Sequence, residues 1–229
     1  MQTTTTQTTI FVNLFKAIKA ERAKRLQEFI TGVNEETDIN KLTAPYSSYG
    51  ELIPRSRKGY NWSLESLREY LIARKVKAND KELAAKLAHL QTVENAPDLK
   101  NITVSIEWKK SRMWGNNPKA EAKVHTGNNY EYYNSGSIGG CGYDKESTAV
   151  AQVINQSNSF LKAMYLVKEK HPKADNRELF GYGSGYGILP RLEGGVGVSC
   201  YPRIFEKIGF SFSNTASGKT FDVYTVSPK

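Results

Sequence analysis

Residues 101–108, NITVSIEW, alternate apolar and polar side chains: Ile102, Val104, Ile106 and Trp108 against Thr103, Ser105 and Glu107. A period of two describes a half-buried strand, one face on a core and the other towards water. Downstream, a basic turn from Lys109 to Pro118 leads to a second strand through Ala120, Ala122 and Val124. Gly127-Asn128-Asn129 turns the chain into a third, Tyr130 to Ser137. Residues 136–147, GSIGGCGYDKES, then open a long helix reaching about Lys170, with Asp144 placed to cap it and His171-Pro172 closing it. A Gly/Tyr-rich stretch, Phe180 to Pro190, and a second glycine segment, Gly194 to Cys200, precede a short helix, Tyr201 to Ile208, stopped by Gly209. Phe210 to Phe212 and Phe221 to Val226 make a terminal hairpin around Ser217-Gly218-Lys219. Residues 100–229 therefore read β-β-β-α-α-β-β, an antiparallel-dominated sheet with two helices.

Upstream of this domain the period is helical, and the whole chain is α+β with a helical N-terminal region. Residues 1–9 are Thr/Gln-rich and expected to be disordered. Residues 10–34 form an amphipathic helix, with Phe11, Leu14, Phe15, Ile18, Leu26, Phe29 and Ile30 as its apolar stripe. Lys16, Lys19, Arg22, Lys24 and Arg25 line much of the rest, and Gly32 and Asn34 are stop signals. Such a helix can lie on a membrane, bind a protein partner, or simply dock or oligomerise. Residues 35–62 hold Pro45, Gly50, Pro54 and Gly59 and read as a linker or arm. Residues 63–96 read as a helical hairpin: Ser63 caps a helix carrying Leu64, Leu67, Leu71 and Ile72, and Asn79 or Asp80 caps one carrying Leu83, Leu87 and Leu90.

The 229 residues carry a formal charge of +9 and a pI near 9.4, a balance that favours polyanionic partners, DNA or RNA first. Two cysteines, Cys141 and Cys200, lack any C-x-x-C spacing and fit a reducing compartment. His89, His125 and His171 are far apart, so no metal site and no cofactor is expected. No apolar run is long enough to span a bilayer, and MQTTTTQTT lacks the form of a signal peptide. The expected location is cytoplasmic, or intracellular with a virion-associated variant.

Three groups of basic residues with aromatic neighbours are candidate nucleic-acid contacts. Arg55, Arg57 and Lys58 sit beside Tyr60 and Trp62; Arg74, Lys75 and Lys77 fall between the two expected helices; Lys109, Lys110, Arg112, Lys119 and Lys123 cluster around one turn with Trp108 and Trp114. Cations neutralise phosphates and aromatic rings stack on bases. A second candidate is an anion or ligand loop: Gly139, Gly140, Cys141 and Gly142 before the helix start at Asp144 and Lys145, joined by Tyr182, Tyr186 and Gly195 from the later glycine segments. Exposed N–H groups at a helix start bind anions. Cys141 and Cys200 both follow glycines near helix starts, where a thiol is activated, and His125 is the nearest base for a cysteine-nucleophile reading.

Several local resemblances bear on function. Leu64-x-x-Leu67-Arg68-x-x-Leu71, Val76 and Leu83-x-x-Lys86-Leu87 resemble the helix–extended–helix of SAP-type DNA-binding modules, with Asn79 and Asp80 replacing the usual glycine and lysine. The β-β-β-α order from Ile102 to Ile154 is similar to that of double-stranded-RNA-binding modules. The phrase Ile204-Phe205-Glu206-Lys207-Ile208-Gly209-Phe210 resembles the C-terminal part of GNAT-type acyltransferases. That likeness implies coenzyme A at the glycine loop and Tyr201 or Tyr224 as the acid. Ile106 to Ser111, Trp114-Gly115, Gly140 to Ser147 and Ala216 to Lys219 are similar to uncharacterised proteins of phages and mobile elements. The leading expectation is a non-enzymatic nucleic-acid-binding accessory protein of a phage or mobile element. The alternatives are a GNAT-like acyltransferase and a protein-interaction, anti-defence or virion component.

Overall fold

A strand that alternates like residues 101–108 is stable only when its edges are paired and one face is covered. A computed structural model of the chain supplies both. It describes residues 7–112, 115–139, 144–174, 179, 191–192 and 197–229. Two compact units divide the chain, Phe11–Leu90 and a second centred on Gln91–Lys229.

The first unit is built on α1 (Gln7–Glu35), α2 (Ile39–Thr43) and α3 (Leu64–Glu94). Helices α1 and α3 run antiparallel: Arg22 pairs with Glu82, the Lys75 ammonium lies over the Phe29 ring, and the Arg68 Nε donates to the Val33 carbonyl at 3.1 Å. Arg68 Nη2 also donates to the Glu36 carbonyl at 2.7 Å, so α3 satisfies carbonyls at the end of α1. Val33, Leu42, Ile53, Leu67 and Leu71 form the core, with Phe29, Tyr49 and Trp62 packed against it.

Four expectations change here. Residues 7–9 are the first turn of α1, not disordered. The helix also passes through Gly32, where a β-carbon would come within 2.6 Å of the Tyr49 hydroxyl. That glycine is a notch for an aromatic neighbour and not a stop. Residues 35–62 are no linker, because Leu42 and Ile53 anchor them in the core and Asp38 caps α2 by accepting from the Asn40 N–H at 2.9 Å. The hairpin expected over 63–96 is one continuous helix. Ser63 caps it as expected, accepting from the Ser66 N–H at 3.1 Å. No glycine or proline occurs between Leu64 and Glu94, so Asn79 and Asp80 continue the helix and the SAP-like extended segment is helical.

The second unit holds a five-stranded antiparallel sheet: β1 (Asn101–Ser111), β2 (Gly115–Thr126), β3 (Asn129–Ser137), β4 (Phe210–Ser217) and β5 (Phe221–Pro228), in the order β3-β2-β1-β5-β4. Strands β1 and β2 run further than expected, so Lys109, Lys110 and Asn116 to Pro118 belong to ladders and not to a turn. The central β1 pairs with β2 (Ile106 opposite Ala120) and with β5 (Val104 opposite Tyr224). Both outer pairings carry a register irregularity, β2–β3 between Lys119 and Glu121 and β4–β5 between Asn214 and Ala216, of the sort that blunts edge-to-edge pairing.

One face of this sheet is the core. Ile102, Val104, Ile106, Ala120, Ala122, Val124, Tyr224 and Val226 are buried there. Helix α4 (Lys145–Ile154) lies across β1–β3, and α6 (Tyr201–Lys207) lies against β4. An aromatic column ties the layers together: Phe160 to Phe205 at 5.5 Å, Phe205 to Phe212 at 5.1 Å, Phe212 to Tyr224 at 5.0 Å. The single helix expected from Asp144 to Lys170 is two, α4 and α5 (Asn158–Lys170). Ser157 caps the second, and Asn155 holds the break by exchanging hydrogen bonds with the Leu192 backbone, at 2.6 and 2.8 Å. The described order is thus β-β-β-α-α-α-β-β, still an α+β fold.

Candidate nucleic-acid interface

Directly opposed residues of an antiparallel pair share a face, so the register assigns every strand side chain. Lys119 faces Glu107, Lys123 faces Thr103, and on the other side Lys123 faces Tyr132 and His125 faces Tyr130. Glu107 in turn faces Phe221. These residues lie on the face opposite the core, together with Lys109, Ser105, Thr225 and Ser213. None of them is buried. Tyr130, Tyr132 and Phe221 are large rings exposed at 59%, 50% and 45%.

The lysines are tied loosely into this surface. The Lys123 ammonium lies 5.7 Å from the Tyr130 ring centre, and the His125 ring lies 5.8 Å from it. Lys119 Nζ donates to Glu121 Oε1 at 2.5 Å, and Lys109 meets Glu107 at 3.4 Å. The Lys119 hydrogen bond, aided by the Tyr132 hydroxyl, holds the Glu121 carboxyl below its usual range; the same carboxylate raises Lys119 and Tyr132. Phe221 folds over the β4–β5 turn, where a β-carbon on Gly218 would sit 2.4 Å from its ring. Three lysines against two glutamates leave this face mildly cationic, with rings spaced along it.

Of the residues chosen from sequence, Lys109, Lys119 and Lys123 are brought together here. Lys110 has the opposite parity on β1, Arg112 is exposed beyond the strand end, and Trp114 lies outside the described residues. Trp108 points to the core side, its Nε1 donating to Asp222 Oδ2 at 3.1 Å. Tyr130, Tyr132 and Phe221 are not among the sequence candidates, and His125 is there only as a candidate base; the signal in the sequence is the alternation Tyr130, Tyr132 inside the third strand, which has no face until β2 supplies one.

Arg55, Arg57 and Lys58 belong to the other unit, are exposed, and follow Pro54 in a single 3-10 turn. The Arg57 guanidinium stacks 5.1 Å from the Tyr70 ring centre and 5.9 Å from that of Trp62, while Tyr60 is 65% exposed. Arg74 and Lys77 are exposed on α3 and Lys75 is half-buried.

Of the glycine-loop group, Gly140, Cys141, Gly142, Tyr182, Tyr186 and Gly195 lie outside the described residues. Gly139 is exposed. Asp144 caps α4 as expected, its Oδ1 accepting from the Ser147 N–H at 2.9 Å, and Lys145 Nζ donates to Asn117 Oδ1 at 3.0 Å. The Tyr201 hydroxyl is buried and donates to the Ser147 carbonyl at 2.6 Å. The Tyr224 hydroxyl donates to the Glu146 carboxylate. Burial pushes both phenols upward, and it pushes the half-buried Glu146 carboxyl up as well, with Asp222 and Asp144 adding to it. Cys200 is exposed before α6, and no group of His, Cys, Asp and Glu among the described residues could hold a metal ion. No described helix is long and apolar enough to cross a membrane. Comparison with family models, curated proteins and solved structures finds no match to any of the three.

Proposed function

We propose that the chain is a non-enzymatic nucleic-acid-binding accessory protein whose open sheet face takes a single strand. One observation carries this reading: Tyr130, Tyr132 and Phe221 expose large rings on a sheet face that no described helix covers, with Lys109, Lys119 and Lys123 among them. Stacking on such rings is worth about 1–3 kcal/mol per base and accepts any base, while lysines follow the backbone. A duplex hides its base faces, so a platform of this kind selects unpaired strands. The phage or mobile-element setting belongs to the proposal too, resting on the phrases between Ile106 and Ser147.

The test is fluorescence anisotropy with labelled single-stranded DNA, single-stranded RNA and duplexes of each, at low and near-physiological salt. Single strands are expected to bind more tightly than duplexes at both salts, and Tyr130→Ala with Tyr132→Ala is expected to remove that preference. Equal binding of all four forms that vanishes with salt would mean that the basic charge acts alone.

A further inference from the structure

A cavity of about 290 Å³ opens between α1 and α3, wholly within the first unit. Three hydrogen-bond donors of its lining have no acceptor among the described residues. Arg22 is held from one side, Nη2 pairing with Glu82, but its Nε is buried and has no partner among the described residues. Asn79 is only 8% exposed in the middle of a helix, and its amide makes no side-chain hydrogen bond among the described residues. Lys75 lies 5.0 Å from the Phe29 ring centre and forms no ion pair among the described residues. Buried donors normally find acceptors, and the Arg22 Nε and the largely buried Asn79 amide left over beside the half-buried Lys75 ammonium mark what the cavity is built to receive.

We propose that this cavity binds a small oxyanion-bearing molecule, a phosphate monoester in the first place. Guanidinium, ammonium and amide N–H groups lining one cavity match phosphate oxygens, which accept several charge-assisted bonds at once. Two carboxylates share the lining, yet each is already engaged, Glu82 with Arg22 and Glu28 with Lys24 at 3.8 Å. Leu26, Phe29 and Ala78 add an apolar wall, so the ester is expected to bind more tightly than the bare ion. The site shares no residue with the sheet face and stands or falls separately from it.

The experiment is thermal denaturation of the full chain titrated with inorganic phosphate, phenyl phosphate or benzoate, against sodium chloride at matched ionic strength. Ligands that bind only the folded chain raise its midpoint with saturation. A saturating rise is expected with both phosphates, larger for phenyl phosphate, and a smaller one with benzoate. Lys75→Met keeps the aliphatic stem and is expected to weaken phosphate binding about tenfold. Asn79→Leu removes the buried amide and should weaken it further; Lys75→Met decides the matter if that variant fails to fold. Tyr130→Ala should leave the phosphate response unchanged. No saturating rise beyond chloride, or a rise that survives Lys75→Met intact, would overturn the proposal. A rise with benzoate equal to that with phenyl phosphate would overturn the preference for phosphate.

Discussion

The two faces of the five-stranded sheet come from the same residues read in alternate steps, yet they obey different rules. On the covered face, Ile102, Val104 and Ile106 of β1 meet Ala120, Ala122 and Val124 of β2 and are at most 1% exposed. On the open face, one residue along, Ser105, Glu107 and Lys109 meet Glu121, Lys119 and Asn117. Of these, Asn117 is buried, and it takes the Lys145 hydrogen bond. The contrast teaches a division of labour: apolar burial on one side fixes the strands rigidly enough for rings and lysines on the other to hold a constant spacing.

The sharpest way to break this comparison is to damage the covered face. Ile106→Ala removes buried methyl groups from the covered face and is expected to cost about 2–5 kcal/mol in urea unfolding. A cost under about 0.5 kcal/mol, typical of a surface change, would show that this face is not the core.

Next in size is the open face. Tyr130→Ala with Tyr132→Ala should leave the unfolding free energy within about 0.5 kcal/mol of the parent. The same pair should weaken single-strand binding by about 1–3 kcal/mol per lost stack. Loss of stability without loss of binding would reverse the roles assigned to the two faces.

The alternation of residues 101–108 made β1 readable at once, and the terminal hairpin around Gly218 was readable from its turn. The order of the strands was not. The β1–β5 pair joins Ile102 to Val226, and no local pattern specifies a partner so distant in sequence. The same limit hid the site. Lysines announce themselves by charge, but Tyr130 and Tyr132 have no side until Lys123 and His125 are placed opposite them. In the first unit the error ran the other way. Asn79-Asp80 has the composition of an N-cap, and only the tertiary burial of Asn79 shows why it sits inside α3. Leu42 and Ile53 were passed over because their Gly- and Pro-rich surroundings suggested a tether, whereas two well-placed apolar side chains suffice to pin an irregular segment.

A smaller effect separates charge from stacking. Lys123→Met keeps the stem over Tyr130 but removes one cation. The slope of log affinity against log salt for single strands should fall by about 0.7. An unchanged slope would place the phosphate path elsewhere, with Arg57 and Lys58 the next residues to test.

The smallest effect lies where the two faces are least distinct, at a carboxylate that reaches the covered side. Glu146 stands in the first turn of α4 and accepts from Tyr224, a core residue only 8% exposed. Burial raises its pKa above the usual value of 4.5, and the nearby Asp222 and Asp144 push the same way, while the Tyr224 hydrogen bond opposes them. An acid that is weaker in the folded chain binds its proton more tightly there than in the unfolded chain. Its contribution is therefore fully favourable below the unfolded value near 4.5 and declines as pH rises from there through the folded pKa. Glu146→Gln keeps an acceptor for the Tyr224 hydroxyl and removes the charge. It should raise stability at pH 7–8 by under about 1 kcal/mol, since solvent reaches part of the carboxyl, and change it little at pH 4. Thermal midpoints measured across that range decide it. Destabilisation at neutral pH would mean that the carboxylate is worth more to Tyr224 than its burial costs, and that the covered face uses a charge as part of its structure.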